Sequence, residues 1–396
     1  MHILVEKLLK EDILTRLPLY WDNFKSTAFA IFNEKDVILF NHPKCNGEPY
    51  MKLAKDEQFH GCTLILYEDI PTAIVDTTLY EDFNELYSLL AHELFHGHQF
   101  LNDECRFPDE MVGLKYPNDL INVQLRILER QTLSKVLTET CGNSEQFINQ
   151  FISIRETRMK HISKYVEYEC WIETIEGPAH YVEFKSLEDI KKDSENSLLK
   201  FSNMLLDEVS SHTDIRRSCY SSGLFICLLL DKISDNWQKA FMESSLSLYD
   251  FFKKQIGKYE IIQIQEPNNS QQVAQLIEYV HKQKGLAFEK FNKTDGIKLL
   301  ISGPFKVSGF DPMNITLIDQ QAIHHRFATV TIKNKEYTIH KPISTTFKKD
   351  FTEIETLQIH INYEPAQKGG KWVIDGIGNI SGELIKKDKC YYLYVN

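Results

Sequence analysis

Apolar and polar positions change rhythm three times along this chain. Residues 4–17 place apolar side chains three and four apart, the period of an amphipathic helix. Residues 28–32 and 37–40 are short β-branched and aromatic runs on either side of a turn-forming stretch at 33–36, which predicts two strands around a turn. A loop rich in Pro, Gly and Asn is expected over 41–49, with further strands at 63–67 and 72–76. The helical period takes over at Phe83, Leu86, Leu90 and Leu94. Thr78 and Glu81 have capping-box spacing and Asp82 is an alternative cap, so this helix is expected to start between 79 and 83. Long helices are expected over 119–140 and 144–168, then more over 223–256, and another over 273–283 after a polar break at 266–272.

From residue 297 the texture becomes short alternating runs punctuated by Gly, Pro, Asn and Lys. Strands are predicted at 298–301, 314–318, 328–332, 336–340, 356–363, 372–377, 382–385 and 391–395. The whole reads as an α+β protein in three parts: an N-terminal α/β subdomain over 1–80, a mainly helical subdomain over 81–295 and an all-β, sandwich-like module over 297–396.

Composition narrows the partners. At 396 residues and 42% apolar content the chain is long and apolar enough for several cores. A net charge of −11 argues against nucleic acid and anionic membranes as general partners. The longest purely apolar run, at 224–230, falls far short of a bilayer span, and Glu6 arrives too early for a signal peptide, so a cytoplasmic location is expected. The eight cysteines are scattered without a C-x-x-C pair, which reads as free thiols. His324 and His325 read as surface residues in the β module.

The chemistry is concentrated in the helix that starts near 83. It carries His92-Glu93-Leu94-Phe95-His96, an H-E-x-x-H motif. Residues four apart share a helix face, so His92 and His96 can offer two imidazole nitrogens to one ion. Glu93 is turned about 100° from His92, within reach of a water on that ion. Zinc is the ion expected, one per chain, because imidazole suits it and a catalytic zinc takes three protein ligands plus a water. A metzincin-type third ligand is excluded, since that pattern needs Gly where Gln99 stands and His where Asn102 stands. A downstream Glu is the other common solution. The stretch 169–183 contains candidates, Glu173 and Glu176 among them.

That stretch, W-I-E-T-I-E-G-P-A-H-Y-V-E from Trp171 to Glu183, resembles the W-L-N-E-G-F-A-x-Y-x-E segment of gluzincin metallopeptidases of the aminopeptidase N and leukotriene hydrolase type. The resemblance implies a thermolysin-like zincin catalytic domain, with Glu176 as third zinc ligand and Glu183 supporting a zinc-binding His from behind. Tyr220-Ser221-Ser222-Gly223 is similar to the family's Y-x-x-G segment, which implies that Tyr220 hydrogen-bonds the tetrahedral intermediate. The span from His96 to Glu176 is longer than usual for the family, and the two long helices account for it. Gly177-Pro178 predicts a kink or helix restart. The family's Gly-x-Met-Glu-Asn motif for a substrate amino group is not intact; Glu68 stands at about its place and is the substrate-binding candidate there, with His180 as a second. Arg216 and Arg217 read as a solvated pair.

The expected function is hydrolysis of peptide bonds in a peptide or protein substrate, with Glu93 as general base and Tyr220 as oxyanion donor. Two alternatives stand beside it: an inert peptidase-like binding or regulatory protein, and a zinc hydrolase of a non-peptide substrate.

Overall fold

The computed structural model describes all residues except 139–143, 265–269, 350–351, 389 and 396. It is mixed α+β, with an N-terminal sheet, a helical middle and a C-terminal all-β region. Two compact units form: Met1–Asp109 with Pro117–Ser270, and Glu110–Tyr116 with Gln271–Asn396. The expected division at 80–81 therefore does not separate units, because the N-terminal sheet and the helices after it share one apolar core. The second unit begins earlier than 297 and takes in the helix before it.

In the first unit the N-terminal helix divides into α1 (His2–Glu11) and α2 (Ile13–Tyr20) at Asp12, whose φ of 44° interrupts the helical hydrogen bonds. Strands β1 (Ala28–Phe32), β2 (Asp36–Phe40), β3 (Met51–Ala54), β4 (Thr63–Tyr67) and β5 (Ile70–Asp76) make one sheet in the order β3-β2-β1-β5-β4. The β1–β5 pair is parallel and the others are antiparallel. β3 has no counterpart among the expected strands, because its half-exposed Met-Lys-Leu-Ala is too short and polar to stand out. β1 is apolar throughout because both its faces are covered. Phe29 and Ile31 enter the main core, while Ala30 and Phe32 pack with Val37, Leu39, Phe59 and Ile74 on the other side. β4 is an edge strand.

Helix α3 (Phe83–Leu101) carries the H-E-x-x-H residues and packs on this sheet through Leu86, Leu90, Leu94 and Phe95. Asp82 caps it, accepting from the Asn84 N–H at 2.6 Å. The Thr78–Glu81 capping box does not form: Asp76 instead accepts from both the backbone N–H and the hydroxyl of Thr78, and a 3-10 turn fills Thr77–Leu79.

The next helices are α4 (Glu110–Gly113), which belongs to the second unit, α5 (Leu120–Thr138) and α6 (Ser144–Lys191). Then follow α7 (Ser194–Leu206), α8 (Glu208–Thr213), α9 (Ile215–Ile233), α10 (Trp237–Met242) and α11 (Leu248–Ile256). The expected helix end at 139–140, Cys141 and most of the polar break at 266–272 lie outside the described residues. Among the described residues the cysteines are free, and no helix is long and apolar enough to cross a membrane.

Helix α6 corrects one expectation. It runs unbroken through Gly177 and Pro178, and its non-helical residue is Ile162 (φ −133°, ψ 36°), where two helices meet at a kink. A proline ring removes one helical hydrogen bond; here neighbours hold α6 in the turn before that point. The Thr174 hydroxyl bonds back to the Cys170 carbonyl at 2.6 Å and accepts the Leu248 N–H at 2.8 Å. Gly177 meets Gly223 of α9 backbone to backbone, and a Cβ on Gly177 would lie 2.7 Å from the Gly223 Cα. Small residues at both points let the two helices cross in direct contact.

Below that crossing lies a network of buried charges. Arg155 bonds Glu173 at 2.6 and 2.8 Å and Glu129 at 2.6 Å. Arg158 joins Glu129 and Glu169, and Arg126 bonds Glu169 at 3.2 Å and Ser218 at 2.5 Å. Ser222 donates to Glu173 at 2.6 Å.

The second unit contains α12 (Ser270–Asn292) and strands β6 (Ile297–Phe310), β7 (Ile315–Ile318), β8 (Gln321–His324), β9 (Ala328–Ile332), β10 (Lys335–Ile339), β11 (Ile343–Phe347) and β12 (Glu353–Ile361). β13 (Ala366–Lys368), β14 (Lys371–Ile374), β15 (Gly378–Ile380), β16 (Glu383–Lys387) and β17 (Cys390–Tyr394) complete it. Nine strands form one sheet, with the long β6 between β9 and β12 and parallel to β17. β13, β14 and β15 form a separate three-stranded sheet, and its Ile374 and Ile380 share the core of the larger one. His324 is buried, against the expectation of a surface residue: it ends β8 with its ring against Phe310, while His325 is exposed.

Candidate metal centre

Three helices supply the site. α3 brings His92, Glu93 and His96; α6 brings Glu176, His180 and Glu183; α9 brings Arg216 and Tyr220. The four-residue spacing on α3 turns both imidazoles the same way, and the two Nε2 atoms stand 3.1 Å apart. Glu176 Oε2 completes a triangle, 3.6 Å from His92 Nε2 and 3.3 Å from His96 Nε2. Two ligands each about 2.05 Å from a tetrahedral zinc would be about 3.3 Å apart, so the triangle has the size of one face of that tetrahedron.

The polar bookkeeping points the same way. Glu176 Oε2 is buried without a hydrogen-bond partner. Such an atom costs on the order of 1–3 kcal/mol, more when charged, unless something binds it. Two imidazole lone pairs facing each other at 3.1 Å also repel unless a proton or cation lies between them. The donor set, two nitrogens and one carboxylate oxygen, is that of a catalytic zinc with one position left for water. His92, His96 and Glu176 fit the ion expected from the sequence.

Outer hydrogen bonds fix the direction of these candidate ligands. Glu183 Oε2 accepts from His92 Nδ1 at 3.0 Å, which leaves the His92 Nε2 lone pair facing the triangle. The same oxygen accepts from His180 Nδ1 at 2.9 Å. His92, His180 and Glu183 also stand within ligand distance of one another, and these two hydrogen bonds account for that grouping. His96 Nδ1 bonds Gln99 Oε1 at 2.8 Å, and Gln99 Nε2 donates to the Ile175 carbonyl at 2.8 Å. Gln99 thus ties one histidine to the α6 backbone beside Glu176.

Glu93 is 6% exposed. Burial, helped by the nearby Glu176 and Glu183 charges, raises its carboxyl pKa, which suits a general base. Without a cation, burial works against a charged His92, but Glu176 and Glu183 push its pKa up to about 10. Burial opposes the Glu176 charge too, yet His96, His92 and Arg216 hold that carboxyl well below the usual range. The Tyr220 ring stacks near His92, with centroids 6.0 Å apart. Burial and then the Glu176 charge raise its phenol, so it stays a hydroxyl donor.

Several expectations are corrected. Glu173 is not a ligand alternative: one helical turn from Glu176, both its oxygens are taken by Arg155 and Ser222. His180 is 3% exposed and packed on Phe201; its Nδ1 bonds Glu183 three residues along its helix, while its Nε2 is buried without a hydrogen-bond partner. Glu68 is apart from the group. It sits exposed at the β4–β5 hairpin tip, paired with Lys44, and it and Asp69 turn the chain with φ of 46° and 64°. Arg216 is not solvated like Arg217: its Nη1 donates to Glu176 Oε1 at 3.0 Å and to the Tyr220 hydroxyl oxygen at 2.5 Å.

Gln99 and Arg216 are the residues that motif reading passes over. Each had a signal in helical spacing, Gln99 three after His96 and Arg216 four before Tyr220. No family model matches the chain, and neither a curated protein nor a solved structure does.

Proposed function

We propose that the chain is a zinc-dependent metallopeptidase with a thermolysin-like zincin catalytic domain, similar to gluzincins. The carrying observation is the triangle of His92 Nε2, His96 Nε2 and Glu176 Oε2, with an orphaned carboxylate oxygen at one corner. Edge strand β4 adds support, because an extended peptide can pair with its free side.

His92, His96 and Glu176 would hold the ion. Bound there, zinc supplies Lewis acidity toward the scissile carbonyl and lowers the pKa of a water to near neutral. Glu93 takes the proton of the attacking water and passes it to the leaving amine. Tyr220 donates to the oxygen that gains charge in the tetrahedral state. Glu183 and Gln99 fix the tautomers and directions of the two histidines throughout.

The test is a fluorogenic peptide library with the purified chain, with and without chelator, beside elemental analysis. About one zinc per chain and chelator-sensitive cleavage are expected. Glu93→Gln should retain zinc and lose on the order of 10²–10⁴-fold in rate. Undiminished cleavage by Glu93→Gln, or a wild type that takes up no zinc, would refute the proposal.

A further inference from the structure

Arg216 touches two parts of the site at once. It stands at the start of α9, where Asp214 caps the helix through the Arg217 N–H, and Tyr220 follows one turn later. A single guanidinium nitrogen, Nη1, reaches Glu176 Oε1 at 3.0 Å and the Tyr220 hydroxyl oxygen at 2.5 Å. The guanidinium carbon lies 5.7 Å from the Tyr220 ring centroid.

Two consequences follow from donor and acceptor roles. Arginine only donates, so at this contact the Tyr220 oxygen is the acceptor and its own O–H points away from Arg216, with the Glu176 carboxylate as its neighbour until a substrate oxygen is present. Arg216 also engages the oxygen of Glu176 that faces away from the histidines. That leaves Oε2 alone between His92 Nε2 and His96 Nε2 and favours binding of an ion through one oxygen rather than both. The two hydrogens of that one planar nitrogen serve the two acceptors, and the guanidinium plane fixes their directions, which a freely rotating ammonium does not.

On the zinc peptidase reading given above, we infer that Arg216 is a positioning residue that holds Glu176 to one ligand oxygen and turns the Tyr220 hydroxyl proton toward substrate. It touches neither the reacting atoms nor the ion. It couples the metal ligand of α6 to the oxyanion donor of α9.

The experiment uses the full chain as wild type, Arg216→Met, Arg216→Lys, Tyr220→Phe and the Arg216→Met/Tyr220→Phe double variant. Zinc affinity is read by competition with a chromogenic chelator, and kcat and KM on a fluorogenic peptide at saturating zinc. Arg216→Met should weaken zinc about 10- to 100-fold, as loss of an outer partner does, and Arg216→Lys should recover part of it. Tyr220→Phe should leave zinc affinity nearly unchanged. Arg216→Met should lower kcat on the order of 10²-fold with little change in KM, as misplacement of a catalytic group does. The double variant should be no slower than Tyr220→Phe alone. Wild-type zinc affinity in Arg216→Met overturns the hold on Glu176, and losses that multiply in the double variant overturn the hold on Tyr220. A wild type that binds zinc but cleaves no peptide removes the peptidase reading, while the affinity measurements still decide for or against Arg216. A wild type that binds no zinc overturns both.

Discussion

Glu173 and Glu176 stand one helical turn apart on α6, both buried, and meet opposite surroundings. Glu173 lies in a closed network where Arg155 and Ser222 take both its oxygens. Glu176 has one oxygen on Arg216 and the other on nothing but two imidazole nitrogens. The first arrangement is complete in itself; the second leaves one oxygen unmatched. What distinguishes a ligand from a structural charge is thus neither burial nor acidity but whether the partners add up. Removing a partner from a completed buried pair leaves an expensive charge. In the incomplete one, the proposed zinc would supply what the protein withholds.

Exchanging the two roles by mutation should produce different phenotypes. Glu173→Gln should lower the stability of the zinc-free chain by about 3–5 kcal/mol, because Arg155 loses a buried partner, while its zinc affinity stays near wild type. Urea unfolding and chelator competition measure the two. Glu176→Gln should instead weaken zinc by more than about 100-fold, beyond the loss of an outer partner. If both variants melt early and both keep zinc, the contrast between these carboxylates is false.

Proton linkage sharpens the contrast. Because His92 is held up to about 10 without a cation, its protonated form strengthens the zinc-free fold fully below the unfolded value near 6.5. That contribution fades as pH climbs from about 6.5 to 10. Zinc-free protein should therefore lose stability across this window, and Glu176→Gln, lacking the leading cause, should show a flatter curve. Zinc must displace that proton, so calorimetry near pH 7.5 in buffers of differing ionisation heat should record release of about one proton per zinc. A zinc heat independent of buffer would contradict it. The smallest expected effect is that of Gln99→Ala: about a tenfold loss of zinc affinity as His96 is freed to turn.

The sequence made much of this framework legible. The i, i+4 histidines need only a helix to meet, and the apolar period from Phe83 to Leu94 predicts one. The strands of the N-terminal sheet stand out where both faces are covered, as in β1, and fade where the edge is half wet, as in β3. Resemblance singled out Glu176, but periodicity alone could not choose between it and Glu173, since both face inward on one helix. Their difference lies in partners far along the chain, Arg155 and Ser222 for one, His92 and His96 for the other. Arg216 was unreadable for the same reason, because an Arg-Arg pair at a helix start looks solvated until the fold lays it beside Glu176.

The contact of Gly177 with Gly223 acts as a fulcrum. Glu176 adjoins one glycine and Tyr220 stands a turn before the other, so the proposed metal ligand and the proposed oxyanion donor sit on two beams pinned at one point. A single methyl group on Gly223 would act as a wedge, since its carbon would come 2.6 Å from the Gly177 Cα. The beams would open, and the distance between ligand and donor would change with every reacting side chain still in place. Tolerance to change at this centre is set by a place with no side chain at all.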